Sequence, residues 1–341
     1  MKIKSQIISD KKHIQFLNSN NFDIYVQHPS FGKFNQILGD EYFCFALFKN
    51  SKPIISSLCI LIKAKRGHFI YLPYGPVYND DFKDHLDQFF KGLKQVAKEK
   101  NASFIRVSPY KELNNESLQT FKKSNFFKAP MHMIAQNTAL LDLKNKDEKA
   151  ILKAMNKNHR NLIRKSLKTQ DLTIKVSTDV NDIKLVANLL EITAKRHKFT
   201  PFSLKYLETE FSAFQEINAG RIYLCYYQEE LIAASITYQN GKTKVYKHGA
   251  SNMKYKNIPA SYLIQWQSIL DALKDGLHTY NFWGVAPSKD HKKHPFYGIT
   301  HFKLGFGAKQ LDLLPAMDMM VNFRYIFNWL IETLRRLKRG F

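Results

Sequence analysis

Two distant stretches of this chain run through the same order of elements. From Glu41 the apolar segments EYFCFALF, PIISSLCILIKA and GHFIYLPY read as three strands, followed by a helix over residues 82–99 and the strand SFIRVSP. From Arg221 the order returns as RIYLCYY, ELIAASITYQ and TKVYKHGA, a helix over residues 259–274 and the strand LHTYNFW. Residue identity between the two is negligible, so only the order repeats. A meander, a helix and a returning strand, used twice, predict an α/β fold made by tandem duplication, with a cleft where two copies meet. The turns agree. Gln228–Glu229–Glu230 closes one hairpin, Asn240–Gly241 spells a two-residue type I′ turn, Pro259 opens the following helix and Gly276 ends it.

Size and composition fit two domains. The chain has 341 residues, 44% of them hydrophobic and 13% aromatic, which excludes a disordered or low-complexity chain. No apolar run is long enough to span a bilayer, and the opening MKIKSQIISDKKH has no apolar signal-peptide core. Cys44, Cys59 and Cys225 sit in strand-like apolar runs without metal-ligand spacing, as buried free thiols of a reducing compartment would. A soluble, cytoplasmic, monomeric protein is expected, with peripheral contact at the inner face of the membrane.

Net charge is +23 with a pI near 9.7, a field that attracts nucleic acid, an anionic membrane face or phosphate-bearing substrates. The charge is unevenly placed. Residues 144–168 carry nine Lys or Arg against two acids. A helix over residues 147–168 would align Lys149, Lys153, Lys157, Arg160, Arg164 and Lys168 on one face, with Ile151, Met155 and Leu162 on another. A solvated face usually mixes signs, so this one is assigned to an anion. Two helices follow, over residues 181–195 and 203–214. Near the end, Phe323, Ile326, Phe327, Leu330, Ile331, Leu334 and Leu337 recur at helical spacing before Arg335, Arg336, Lys338 and Arg339. Such a helix either lies in an anionic interface or packs its stripe on the fold; packing is expected, with the basic tip near a membrane or polyanion.

The familiar catalytic constellations are missing. The sequence contains no GxSxG elbow, HExxH, CxxC pair or phosphate-binding GxxxxGK[ST] loop. His291 and His294 lack a carboxylate or cysteine at ligand spacing and read as solvated loop residues, so no metal is assigned. Three loops remain: YLPYGPVYND at 71–80, the pair KVYKHGAS and YNFWGVAPS ending at 251 and 288, and YGITHFKLGFG at 297–307.

Together, in this order, these loops resemble the Fem family of peptidoglycan-bridge aminoacyl transferases. Gln27-His28-Pro29, the run RNLIRK at 160–165, and Arg196 preceding Phe199 add to the resemblance, which covers nearly the whole chain. It implies two domains of the GNAT-like acetyltransferase fold, residues 1–145 and 146–310, with a basic helix within 311–341 returning to the first. It also implies transfer of an amino acid from aminoacyl-tRNA to the stem-peptide amine of lipid II or UDP-MurNAc-pentapeptide. No helical arm is inserted in the second domain, since Arg196 leads directly to FSLKYLETEF. By resemblance, Lys33, Asp80, Arg196, Tyr246 and Lys303 line the muropeptide cleft, Lys33 and Arg196 addressing the diphosphate; Tyr78 and Tyr110 are further substrate-side candidates. Lys149, Lys153, Lys157, Arg160 and Arg164 are the tRNA-side set.

Moving an acyl group from an ester to an amine needs positioning and a donor for the oxyanion, with no cofactor beyond the aminoacyl-tRNA co-substrate. Lys303, flanked by glycines, is the candidate for that cation, and Phe302 beside it completes the catalytic pair. The general base stays unassigned between a carboxylate such as Asp80 or Asp81 and the substrate itself. Two other readings are kept. An acyl-CoA N-acyltransferase of the same fold would need a Gly-rich pyrophosphate loop, and HGASNMKYKNIPAS lacks its spacing. A basic module tethering RNA to a membrane gives no reason for Asp80 or FKLGFG.

Overall fold

In the first meander apolar side chains stand on both faces, so its strands are buried in a sheet covered from both sides. The computed structural model describes residues 2–64, 67–197, 200–287, 292 and 294–339, without the side chains of Arg196, His197 and Arg339. Two units emerge, Met1–Gln136 with Asp312–Phe341, and Asn137–Leu311.

The first unit begins β1 (Ile3–Ile8), α1 (Asp10–Ser19), α2 (Pro29–Ile37), β2 (Glu41–Lys49), β3 (Lys52–Ala64), β4 (Gly67–Tyr74) and β5 (Val77–Tyr78). It continues with α3 (Leu86–Glu99), β6 (Ala102–Pro109), α4 (Asn115–Lys123) and β7 (Phe127–Lys128). β1 to β4 pair antiparallel in order, and β6 joins β4 in parallel. A parallel pair needs a crossover, which α3 supplies. Its Leu86, Phe89, Phe90, Leu93 and Ala97 form the buried stripe that meets Phe45, Ile55, Ile70 and Ile105 in the core. The α-helix starts four residues later than the periodicity suggests, because Asp80–His85 forms a 3-10 turn capped by Asn79.

The second unit comprises β8 (Asn137–Asp142), α5 (Glu148–Ala154), α6 (Lys157–Lys168), β9 (Leu172–Ser177), α7 (Ile183–His197) and α8 (Leu204–Gln215). After them come β10 (Gly220–Tyr227), β11 (Glu230–Asn240), β12 (Thr243–Ser251), α9 (Ala260–Lys274), β13 (Thr279–Gly284), α10 (Tyr297–Leu304) and β14 (Lys309–Asp312). The plan repeats: β9 to β12 are antiparallel, and β13 joins β12 in parallel beyond α9. The chain then returns to the first unit with β15 (Met317–Met320) and α11 (Arg324–Arg339).

The repeat extends further than its sequence pattern. β15 pairs antiparallel with β6, and β8 pairs antiparallel with β13. Each sheet thus takes the strand beside its parallel pair from outside the five-element repeat, one from upstream of it and one from far downstream. This moves the domain boundary: β8, expected in the first domain up to residue 145, belongs to the second sheet.

Three local expectations also change. The basic stretch 147–168 is two helices, because Met155 is extended and Asn156 caps α6 by accepting from the His159 amide at 2.8 Å. Asn240 pairs with Thr243, so the turn residues are Gly241 and Lys242; only Gly241 has positive φ (51°), which makes the turn type II′. The type I′ geometry lies instead at Gln228 and Glu229, φ 48° and 66°. Finally, α11 does not pack its apolar stripe on the fold. Phe323, Phe327, Leu334 and Leu337 are 61–78% exposed, while Tyr325, Asn328 and Glu332 face inward. All three cysteines are free and buried.

What holds the returning segment is charge. Arg106 on β6 is 2% exposed and makes a two-pronged pair with Asp318 on β15, Nε to Oδ1 at 2.7 Å and Nη2 to Oδ2 at 2.8 Å. Nη2 also reaches Glu332 of α11 at 2.7 Å, and the Tyr325 hydroxyl donates to Asp318 at 2.9 Å. The rings of Phe104 and Phe69 face the guanidinium. Breaking such a pair leaves a buried charge uncompensated. Asp318→Ala is therefore expected to cost ~3–5 kcal/mol in urea unfolding, and Glu332→Gln less, since Glu332 is 20% exposed.

Candidate functional site

In the first unit, the motif Gln27-His28-Pro29 and the loop 71–80 are one structure. Gln27 is fully buried; its side chain donates to the Pro73 carbonyl at 2.6 Å and accepts from the Leu58 amide at 2.9 Å. His13 holds the same corner through Ser56 at 2.8 Å and the Gln27 carbonyl at 3.0 Å. A side chain on Gly75 would collide with Ser57 and Gln27, so the loop needs glycine there. His28 caps α2 by accepting from the Ser30 amide, and burial pushes its pKa down to about 4. Gln27, with His13 behind it, thus sets the loop.

That loop carries the expected side chains. Tyr78 is buried to 9% exposure, with Lys111 Nζ 4.6 Å over its ring. Lys111 also pairs with the exposed Asp80 at 2.5 Å, so Tyr78, Asp80 and Lys111 form one cluster. Burial pushes the Tyr78 hydroxyl pKa up. Tyr110, next to Lys111 in the chain, packs in an aromatic group with Tyr74 at 5.1 Å and Phe22 at 5.8 Å between ring centres. Burial raises its pKa to about 12. Lys33 is exposed on α2. Lys111 escaped the sequence reading, lying outside every recognised motif.

In the second unit, Lys303 and Tyr246 come together. Lys303 is 5% exposed on α10, and its Nζ donates to the Gly284 carbonyl at 2.7 Å, 5.6 Å from the centre of the Tyr246 ring. Burial alone accounts for a pKa lowered to about 7. A glycine at 249 is required beside the Tyr246 hydroxyl, because a Cβ there would overlap it. The β11–β12 register skips Lys247, which bulges out of the ladder. Its Nζ lies 4.9 Å over the Trp283 ring, and Trp283 is in the left-handed region at φ 62°. Two amines therefore meet consecutive residues at the end of β13, Lys247 at Trp283 and Lys303 at Gly284. Behind Lys247 lies a buried pair, Glu210 and His248, 3.0 Å apart. Burial works to raise the Glu210 carboxyl, but Lys247 and His248 outweigh it and hold it below its usual value. Lys247, Glu210, His248 and Trp283 were not singled out from sequence, although Lys247 and His248 lie inside KVYKHGAS and Trp283 inside YNFWGVAPS.

Phe302 supports this site from behind. Its ring packs with Tyr262 and Phe306, and its carbonyl accepts from His159 Nε2 at 2.8 Å. His159, 1% exposed at the start of α6, bonds Asn156 with its other ring nitrogen. Gly305 leaves room for the His159 ring, and Gly307, at φ 86°, for the Ala154 backbone. The runs around 160–165 and 297–307 are thus locked together by His159 and the FKLGFG glycines.

The basic residues separate. Lys149 and Lys153 are exposed on α5, Lys157, Arg164 and Lys168 on α6. Arg160 is half-buried and donates to the Lys153 and Met155 carbonyls, bracing the helix break. The single six-residue face does not exist. The Arg196 side chain and His291 lie outside the described residues. Among the described residues, no group of His, Cys, Asp or Glu is placed to hold a metal ion.

The FemAB family model matches residues 8–134 and 215–332. Aminoacyltransferase FemA of Staphylococcus epidermidis is 27% identical over 135 residues, covering 39% of this chain and 32% of FemA. The match therefore spans about a third of that relative's length. A protein of Staphylococcus saprophyticus named lipid II:glycine glycyltransferase is 21% identical over 321 residues, 74% of this chain and 77% of the relative. In fold, the crystal structure of FemX superposes with a TM-score of 0.84 at 17% identity, over 96% of this chain and 100% of FemX. A tandem GNAT protein from the clavulanic acid pathway gives 0.60 at 8% identity, over 94% and 99%. The fold is a duplicated GNAT-like α/β fold, and with its family signature spread over both halves this chain belongs to the FemAB family.

Proposed function

We propose that this protein is an aminoacyltransferase of peptidoglycan interpeptide-bridge synthesis, moving an amino acid from aminoacyl-tRNA to the stem-peptide amine of a lipid-linked or nucleotide-linked muropeptide. The names of its relatives support this reading, and one observation carries its chemistry: Lys303, buried on α10, bonded to Gly284 and beside Tyr246. The acceptor nitrogen attacks the ester carbonyl, the carbon–oxygen bond to the terminal ribose breaks, and the ribose oxygen takes up a proton as the amine loses one. Atoms and charge balance without a metal or an energy cofactor. In the tetrahedral intermediate the carbonyl oxygen is an anion, and a preorganised ammonium stabilises it more than it stabilises the ester. Phe302 and His159 fix the turn of helix that carries Lys303. Lys33, Asp80, Tyr78 and Tyr110 in the first unit, with Arg196, are assigned to the acceptor. Lys149, Lys153, Lys157 and Arg164 are assigned to tRNA phosphates, with Arg160 as their brace.

Incubation with charged tRNA and muropeptide, followed by mass spectrometry, tests the reaction. Product is expected to disappear after ribonuclease treatment and to fall steeply with salt. Acetyl-CoA supporting the reaction in ribonuclease-treated samples would replace this reading with an acyl-CoA one.

Lys303→Met keeps much of the volume and removes the charge. A kcat loss on the order of a hundredfold or more is expected with Tm and ligand binding retained. The pH profile carries the sign. The pKa of Lys303 is lowered to about 7, so the ammonium is full below that pH and lost above it. Wild-type kcat should therefore show a descending limb near pH 7; a profile still rising there would exclude the ammonium role. For the acceptor side, Lys33→Ala should raise the KM for muropeptide and leave the KM for charged tRNA unchanged.

A further inference from the structure

The returning helix is docked by the wrong face for an ordinary amphipathic helix. Tyr325, Asn328 and Glu332, spaced by three and four, turn inward, the first onto Asp318 and the last onto Arg106. On the opposite side Ile326, Phe327, Leu330, Leu334 and Leu337 are 49–69% exposed, continuing from Phe323 at 78%. This stripe follows helical spacing along the whole element and faces solvent. Its borders are basic. Arg324, Arg335 and Lys338 are exposed, Arg336 is half-exposed, and the helix's one acid, Glu332, is spent on Arg106. Arg336 also borders a cavity of about 430 Å³ that Lys128 and His132 line. Trp329, 38% exposed, sits at the edge of the stripe.

We infer that α11 is an in-plane anchor for an anionic lipid bilayer, its apolar stripe entering the acyl boundary and its basic borders meeting the headgroups. Sixteen residues make a helix about 24 Å long, too short and too charged to span, but suited to lie in the interface. Exposed aromatic and Leu side chains on one face, cations beside them and an indole at the border are what such an interface selects. A second copy of the chain fits less well, because stripe against stripe would bring two sets of cations together. Docking by polar contacts leaves the apolar face free without loosening the helix. The anchor is independent of the transferase reading, since it needs neither tRNA nor muropeptide.

Flotation of the full-length protein with vesicles of phosphatidylcholine, with and without phosphatidylglycerol, tests it. Binding is expected only where phosphatidylglycerol is present. Leu330→Ser and Leu334→Ser change exposed side chains, so Tm should hold while partitioning drops roughly tenfold or more for each. Arg335→Glu with Lys338→Glu should also weaken binding to the anionic vesicles. Transfer to a water-soluble, nucleotide-linked acceptor should be unchanged in the Leu variants, which separates anchor from chemistry. The inference is overturned if the wild type does not float, or if the Leu variants float as well as it does. It is overturned equally if the stripe drives a dimer that the Leu variants dissolve while vesicle binding is absent.

Discussion

A guanidinium at 2% exposure on a central strand must find counter-charges, and Arg106 finds both in the last thirty residues of the chain. Asp318 fixes the register of β15 against β6, with Arg106 opposite Asp318 in the ladder. Glu332, fourteen residues on, sets the rotation of α11 about its axis. Tyr325 closes the knot by donating to Asp318. Once the polar face of α11 is committed inward, its apolar face has nowhere to go but outward. A buried ion pair adds little net stability compared with well-packed apolar residues, but it is intolerant of alternatives. Here it decides which face of a helix the solvent meets.

The same non-local logic separates what could be read in the chain from what could not. Strand after strand of the two meanders was legible, because alternation and turn residues are local properties. So was the crossover helix, whose buried positions recur at three and four. The sheet membership of β8 was not, since nothing within Asn137–Asp142 says which sheet it joins. Helical spacing likewise finds the stripe on α11 but not the face that docks, which is set by an arginine more than two hundred residues away. The break at Met155 and Asn156 is a different failure. An unbroken series of basic spacings masked a capping residue, and Asn156 three positions before His159 was the signal available.

At the site, the loops were visible and their interior was not. FKLGFG reads as chemistry around Lys303, yet half of it is packing. Gly305 and Gly307 exist for His159 and the Ala154 backbone, and Phe302 for an aromatic cluster. Gln27 looked like part of a motif and proves to be the clasp on the loop bearing Tyr78 and Asp80. Lys247 could not be distinguished from its neighbours, because only the bulge in β12 takes it out of the ladder and onto Trp283. A bulge is a pairing fact, and pairing is not written in one strand.

Arg106 and Lys303 show two outcomes of one physical problem, a cation taken out of water. Arg106 is surrounded by carboxylates, its charge is permanent, and the result is a rigid joint. Lys303 is also buried, but burial sets its pKa, with no carboxylate among the described residues opposing the shift. Its ammonium is costly in the fold, because the unfolded amine binds a proton up to its usual pKa of 10.5 and the folded one only to about 7. Stability from this group is therefore present at high pH and lost as pH falls toward 7. A carboxylate beside it would relieve that cost, and would also neutralise the charge on which an oxyanion depends. Held by the Gly284 carbonyl and beside the Tyr246 ring, Lys303 keeps its protonation poised near neutrality, the state that the proposed oxyanion role needs.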